Sequence, residues 1–357
     1  MAYKALSTAN LPDPVIDPAQ GDSPEDYFNT VLYTGTGAAV DINTVGFQPD
    51  LVWGKKRSAP NQNNWLIDSV RGAGVWLSSD GTGSEGTEPA GSSFDADGFN
   101  TNSNSLFTYN GGSYVLWAWK AGGSGVSNTN GSITSTVSAS TESGFSIVSY
   151  TGNDAASATV GHGLSQQAPE MVIVKNRQEA ISNPAWPVYH SSSGATKFLD
   201  LQTTAAQGTA TTVWNDTTPT SSLVTIGTAD SVNSGSTHIM YCFHSVDGFS
   251  RIGSYTGNGS ADGTFVYTGF RPAFVMFKNI SASSTYWIMF DVERDTHNVM
   301  DTYLQAQASN AEASFPFMDF LSNGFKHRHT SSHTNTSGQT YIYMAFAEQP
   351  FKFSNAR

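Results

Sequence analysis

The residues best suited to chemistry lie near the end of the chain, in Lys326-His327-Arg328-His329 with His333 close behind. Side chains alternate along a strand, so His327 and His329 would share one face. Around a threefold axis, such a pair from each of three chains would offer six imidazoles to an iron or nickel ion, metals that imidazole suits. No acid stands beside them to orient the rings. A polar surface strand and loop is the plainer reading.

Acids come next. Asp68 and Asp291 occupy one position of a repeat, and each is followed three residues later by an arginine, Arg71 or Arg294. A glycoside hydrolase needs two carboxylates flanking one cleft. Here each copy offers a single acid, and the middle copy has His190 and Ser193 at the matching positions. An Asp with an Arg three residues on reads as a structural ion pair. Asp95-Ala96-Asp97-Gly98 lacks the further oxygen ligands of a calcium loop and reads as a turn. There is no Gly-x-Ser-x-Gly elbow and no Walker-type phosphate loop. Cys242 has no second cysteine to pair with, and its sister positions are Ala118 and Ala345, so it reads as a small core residue. His162, between Gly161 and Gly163, reads as a turn residue. The expectation is a protein with no catalytic residues and no cofactor.

Sugar recognition needs exposed aromatic rings beside polar side chains. Trp53, Trp65, Trp117, Trp119, Trp186 and Trp287 sit on repeated or apolar strand positions and read as core. Tyr109 and Trp214 lie in variable, polar loops, where recognition residues concentrate, and are the expected glycan or receptor contacts.

The elements that position these residues come in three copies. Each copy has a Tyr-Thr-Gly near its start, at Tyr33, Tyr150 and Tyr255. Each is followed by an apolar run entered from a proline and left at a lysine, Pro49 to Lys55, Pro169 to Lys175 and Pro272 to Lys278. An aromatic-led run follows, starting at Trp65, Trp186 and Trp287. Each copy closes on one pattern, Tyr114 to Trp119, His238 to Phe243 and Tyr341 to Phe346. Spacings of over a hundred residues are too long for solenoid units, which run to about 50 residues, and suit small domains. The runs are short, rich in β-branched and aromatic residues, and separated by Gly, Asn, Ser and Asp. Some alternate cleanly, while others are apolar throughout, as a strand between two layers would be. The fold class expected is all-β, with three tandem antiparallel β-sandwich domains of jelly-roll or lectin-like kind and about seven strands each.

In chain order, residues 1–27 form an extended, proline-rich arm suited to docking on another subunit. The first copy takes residues 28–120. Residues 121–143 read as a Gly/Ser/Thr-rich linker with a short strand at Ile133 to Val137. The second copy takes residues 144–247 and the third residues 248–357. The third ends on a strand after Phe346 that echoes the start of a unit and would cap a sheet edge.

Charged residues make up only 13% of the 357, and 17 Lys and Arg face 29 Asp and Glu, for a net charge of −12. Nucleic acid is therefore not an expected partner, since phosphate binding needs clustered cations. No run approaches the ~20 apolar residues that span a bilayer, and the N-terminus does not read as a signal peptide. An uncharged polar surface over an aromatic β core is unlike a typical cytoplasmic enzyme.

Four phrases, Phe28 to Gly35, Val45 to Asp50, Asp68 to Gly72 and Thr340 to Glu348, together resemble an uncharacterised repeat domain of tailed-bacteriophage virion proteins, especially from marine phages. The likeness covers about Phe28 to Phe351. It implies a non-enzymatic structural protein of the particle, a tail fibre or appendage component, made in the host cytoplasm and located on the virion. Its partners would be other virion proteins, held through the N-terminal arm, and a host-surface glycan. A homo-oligomer is expected, with a trimer favoured. The alternatives are a capsid decoration protein and a stand-alone carbohydrate-binding module. A monomer whose copies form their own pseudo-threefold ring stays open.

Overall fold

The computed structural model describes residues 15–16, 22–87, 91–103, 107–165, 167–178 and 184–350. The first copy contributes β1 (Phe28–Thr34), β2 (Asp41–Ile42), β3 (Leu51–Lys56), β4 (Asn64–Asp68), β5 (Val75–Ser78), β6 (Gly86–Thr87), β7 (Ser93–Asp95), β8 (Gly98–Asn100) and β9 (Ser113–Trp119). Next come β10 (Val126–Asn128), β11 (Ser135–Ser140), β12 (Phe145–Thr151), β13 (Ala158–Gly161), β14 (Met171–Asn176), β15 (Pro187–His190), β16 (Lys197–Asp200) and β17 (Gly208–Thr209). The second copy is completed by α1 (Thr211–Trp214), β18 (Leu223–Ile226), α2 (Asp230–Asn233) and β19 (Thr237–Phe243). The third has β20 (Ser250–Thr256), β21 (Phe265–Tyr267), β22 (Phe270–Asn279), β23 (Ile288–Asp291), β24 (Met300–Gln305), β25 (Ala313–Leu321), β26 (Gly324–His327) and β27 (Thr340–Pro350).

The protein is all-β, and its named strand pairs are antiparallel. Each copy builds its main sheet in one order, β1-β9-β3-β4-β5-β6, β12-β19-β14-β15-β16-β17 and β20-β27-β22-β23-β24. Register is kept as well, with Trp53 opposite Trp117, Ile173 opposite Tyr241 and Met276 opposite Met344.

Alternation along these strands decides the packing. Odd positions of β9 (Val115, Trp117, Trp119) join one apolar cluster, while Tyr114, Leu116 and Ala118 join another. In β19, Ile239, Tyr241 and Phe243 likewise separate from Met240 and Cys242, and in β27 Ile342, Met344 and Phe346 separate from Tyr341, Tyr343 and Ala345. The outer-facing sets lie in three separate clusters, one per copy. The inner-facing sets all belong to a single cluster that draws on the three copies. Its centre is marked by three residues at one position of the repeat. The rings of Trp119 and Phe243 lie 6.4 Å apart, those of Phe243 and Phe346 6.3 Å, and those of Trp119 and Phe346 5.7 Å. The sheets are therefore apolar on both faces because each is an inner wall and an outer one at once.

The Tyr-Thr-Gly motif has a local cause. Tyr33 stacks on Tyr114 at 4.9 Å, Tyr150 on His238 at 5.0 Å and Tyr255 on Tyr341 at 4.9 Å. Two residues on, a Cβ at Gly35, Gly152 or Gly257 would stand 2.3, 2.0 or 2.3 Å from a carbonyl oxygen, of Tyr109, Ser234 or Thr336. Only glycine lets the backbones pass so closely.

Three expectations change. Residues 121–143 are not only linker: β10 and β11 extend the second sheet at its β12 edge, and Ile133 bridges to Val160. The chain after Phe346 does not begin a new capping strand within the described residues. It continues β27, and Gln349 and Pro350 pair with Arg271 and Phe270 across a bulge. The counterpart of Trp186 and Trp287 is Asn64, not Trp65, when the strands are matched at Asp68, His190 and Asp291. Trp65 turns outward, and its ring lies against Gly54, where a Cβ would be 1.9 Å away. Of the arm, most residues lie outside those described, but Ile16 is buried in the shared interior.

Candidate functional site

The polar residues that the sequence repeats come together at the joints between copies. Asp68 closes β4 with both side-chain oxygens engaged. Arg71 donates from Nε to Oδ2 at 2.6 Å and from its own amide to Oδ1 at 2.9 Å. From the second copy, the Tyr241 hydroxyl donates to Oδ2 at 2.8 Å. At the next joint Arg294 holds Asp291 the same way, at 2.6 Å, and the first copy's Trp117 donates from Nε1 at 3.0 Å. Asp68, Arg71, Asp291 and Arg294 have no exposed side-chain surface. The neighbouring Asp68 carboxylate holds the Arg71 guanidinium in its charged form despite complete burial.

The third joint explains the departure in copy two. The residue matching Tyr241 and Trp117 is Met344, which has no N–H or O–H to donate. A buried carboxylate there would be undercompensated, at a cost of several kcal/mol. His190 stands in its place, and burial pushes its pKa down to about 4, with the Tyr343 carbonyl working against the shift. The imidazole is thus neutral, and its Nδ1 accepts from the Ser192 amide at 3.2 Å.

Other contacts repeat around the ring. Glu85 donates its amide to the Arg177 carbonyl at 3.0 Å, Gln207 to Ile280 at 3.1 Å and Glu312 to Arg57 at 3.0 Å. Two of these carry an ion pair too, Arg177–Glu85 and Arg57–Glu312, each 2.7 Å. Asn64, Trp186 and Trp287 each donate a side-chain N–H to a backbone carbonyl of the neighbouring copy, of Ala308 at 3.0 Å, Ser78 at 3.0 Å and Asp200 at 3.3 Å. Lys55, Lys175 and Lys278, the repeat's lysines, are fully buried, and burial lowers them to about 8, 8 and 7. Lys55 reaches the Ala308 carbonyl of the third copy at 3.2 Å, and Lys175 the Thr82 carbonyl of the first at 3.1 Å.

The residues singled out for binding fare differently. Tyr109 is half exposed and lines an open cleft of about 200 Å³ with Lys56, Asn61, Gln62, Asn63 and Trp65. The Lys56 ammonium stands 4.4 Å from the centre of the Tyr109 ring. Trp214 offers no surface to a sugar, because α1 turns it into the second copy's outer core, 1% exposed, with its ring against Tyr189. His327 is likewise fully buried, among Tyr255, Phe277 and Phe325, and cannot reach a second chain. His329 lies beyond the end of β26, against Phe315, so the two rings do not form the expected pair. Among the described residues, no group of three or more His, Cys, Asp or Glu is placed to hold a metal. Asp95 and Gly98 pair across the tight turn between β7 and β8. His162 caps its turn, accepting from the Leu164 amide at 3.2 Å, and Cys242 is a buried free thiol pushed up to about 12. The six strand tryptophans are all buried.

Lys56 and the amides of Asn61, Gln62 and Asn63 were not singled out from the sequence. The signal available was the polar run Asn61-Gln62-Asn63-Asn64 between two apolar strands. A second open cleft, about 440 Å³, lies beside β10, lined by Ser124, Ser127, Asn128 and Asn130.

Fold and joints define an all-β protein of three repeated sheets closed on one interior. Residues 23–350 match the family described as a domain of unknown function, DUF7483, and the chain belongs to that family. No curated protein and no solved structure matches it.

Proposed function

We propose that the chain is a non-enzymatic structural protein of a bacteriophage particle, a tail fibre or appendage component that serves assembly and attachment to the host surface. The observation that carries this reading is where the repeated polar chemistry goes. Asp–Arg pairs hold two of the joints between copies, and two of the repeat's buried lysines, Lys55 and Lys175, reach across to a neighbouring copy. Such an interior suits a rigid scaffold whose loops meet other molecules. The resemblance of its repeated phrases to phage virion proteins points the same way. Within this reading the copies are sandwich-like lobes of one body, each with its own outer core.

The closed ring gives each copy the neighbours that a trimer of chains would otherwise supply. A trimer is thus not needed to cover the inner faces, and the N-terminal arm is the proposed attachment to other virion proteins. Mass spectrometry of purified particles tests the reading. The chain is expected among their stoichiometric components, and its absence would overturn the proposal. Light scattering on the purified chain is expected to return the mass of one chain; three would restore the fibre-like trimer. A carbohydrate-binding module is the second reading, favoured by the half-exposed Tyr109 ring in its amide-lined cleft.

A further inference from the structure

The first copy differs from the other two at the residue that follows the repeat's lysine. Lys56 follows the repeat's lysine, and its counterparts are Asn176 and Asn279. Both asparagines are fully buried. Asn176 donates from Nδ2 to the hydroxyls of Ser234 and Ser236 at 2.7 Å each. Asn279 donates to the Ser332 carbonyl at 3.0 Å and to Gln339 Oε1 at 2.6 Å. In both copies the amide ties the loop after the strand to the loop before the closing strand.

In the first copy the residue at that place is Lys56, which has no side-chain amide, and the loop after β3 meets the start of β9 through Arg57 and Ser58, on the Ser113 carbonyl at 2.8 Å and the Ser113 amide at 3.2 Å. Lys56 points its ammonium over Tyr109, whose counterparts are the small Ser234 and Thr336. The cleft of about 200 Å³ lies between Asn61, Gln62 and Asn63 on one side and Tyr109 on the other. Its rim is fixed in advance. Gln62 donates its amide to the Ser309 carbonyl of the third copy at 3.2 Å, and its own carbonyl accepts from buried Lys55. Asn61 holds a left-handed backbone, φ 58°, which asparagine tolerates better than most residues. A loop anchored this way loses little freedom on binding.

We propose that this cleft binds the terminal neutral hexose of a surface glycan. An exposed ring can stack on the C–H face of a pyranose, which is the apolar half of the task. The side-chain amides of Asn61 and Asn63 each offer two donors and an acceptor, and that of Gln62, which already donates from Nε2 to the Asn61 carbonyl at 3.0 Å, offers one more donor and an acceptor, suited to hydroxyls that are both. A few placed polar groups around a concave aromatic wall are the usual make-up of a small-ligand site. At long range the chain's net charge of −12 disfavours an acidic polymer, and the one charged residue lining the cleft, Lys56, has its ammonium engaged on the Tyr109 ring. The inference rests on the host-attachment part of the function proposed above.

The test is an array of bacterial surface oligosaccharides with neutral and uronic-acid ends, probed with the full chain. Binding to neutral-ended glycans is expected. Tyr109→Ala and Asn61→Gly, which keeps the left-handed backbone, should each weaken it tenfold or more. Tyr109→Phe keeps the ring and should keep binding, as should Phe265→Ala on the exposed β21, far along the third sheet. No retained glycan, binding to acidic ends alone, or binding that survives both Tyr109→Ala and Asn61→Gly would overturn the site. A chain that binds through Tyr109 but is missing from particles keeps the cleft and loses the particle reading. The reverse result separates the two the other way.

Discussion

The Tyr241 hydroxyl donates a 2.8 Å hydrogen bond to Oδ2 of Asp68, across the joint between the second and first copies. The same oxygen holds Arg71, so one buried carboxylate carries two donors from two copies. Asp68→Ala should therefore cost about 3–5 kcal/mol, because it strands a buried guanidinium. Tyr241→Phe should cost less, about 1.5–3 kcal/mol, the scale of a lost hydrogen bond to a charged group. Urea unfolding checks both. A double variant whose cost equals the sum of the two would show that the residues do not act together.

The third joint makes a separate prediction. His190→Asp, restoring the acid of the sister copies, should destabilise by several kcal/mol at pH 7, because Met344 offers no donor and Ser193 no charge. Adding a donor by Met344→Tyr should recover part of the loss. Equal stability of His190→Asp and the parent chain would sink this account of why copy two departs.

Unfolding should be a single transition. Splitting off the second copy would bare Met171, Ile173, Ile239, Tyr241 and Phe243. Exposing that many large apolar side chains costs on the order of 10 kcal/mol, comparable to the whole stability of a typical domain. Calorimetry should give a van't Hoff enthalpy close to the calorimetric one. Three resolved transitions would mean the copies are independent.

Glycines test the close passages. Gly152→Ala brings a Cβ to 2.0 Å from the Ser234 carbonyl oxygen and should cost at least the roughly 1–3 kcal/mol of ordinary overpacking. Gly83→Ala has open space around it and should be neutral or stabilising by up to about 1 kcal/mol. Thermal melts of the two variants side by side would show the contrast or refute it.

Stability should fall in mild acid. Burial lowers His190 and His238 to about 4 and His327 to about 3, against an unfolded value of 6.5. The folded state keeps these rings neutral where the unfolded chain takes up protons. Their contribution is complete above about pH 6.5 and is lost as pH falls toward 4. The buried lysines act in another window: folded values of about 7–8 against 10.5 make stability rise with pH between about 8 and 10.5. Chemical denaturation from pH 4 to 10 reads both limbs. His327→Phe should reduce the acid slope by about one proton, and an unchanged slope would exclude that ring.

The repeat, the strands and the Asp–Arg pairs were legible because they depend on short-range pattern: alternation, turn residues, and an acid three residues before its arginine. So was the double burial of the main strands, since Val172 to Val174 and Tyr341 to Phe346 read as apolar on both faces. What covers each face was not legible. A strand pattern says that Trp119 must be buried, but not that Phe243 and Phe346 bury it, because contacts between residues over a hundred positions apart leave no local trace. Exposure in loops has the same limit. Tyr109 and Trp214 look alike in sequence, and only the fold turns one to solvent and the other inward. The sequence by itself determined a threefold-repeated β protein with polar residues at fixed places. Tertiary packing alone decided that the repeats close on each other, since that choice depends on which apolar faces can meet around one axis.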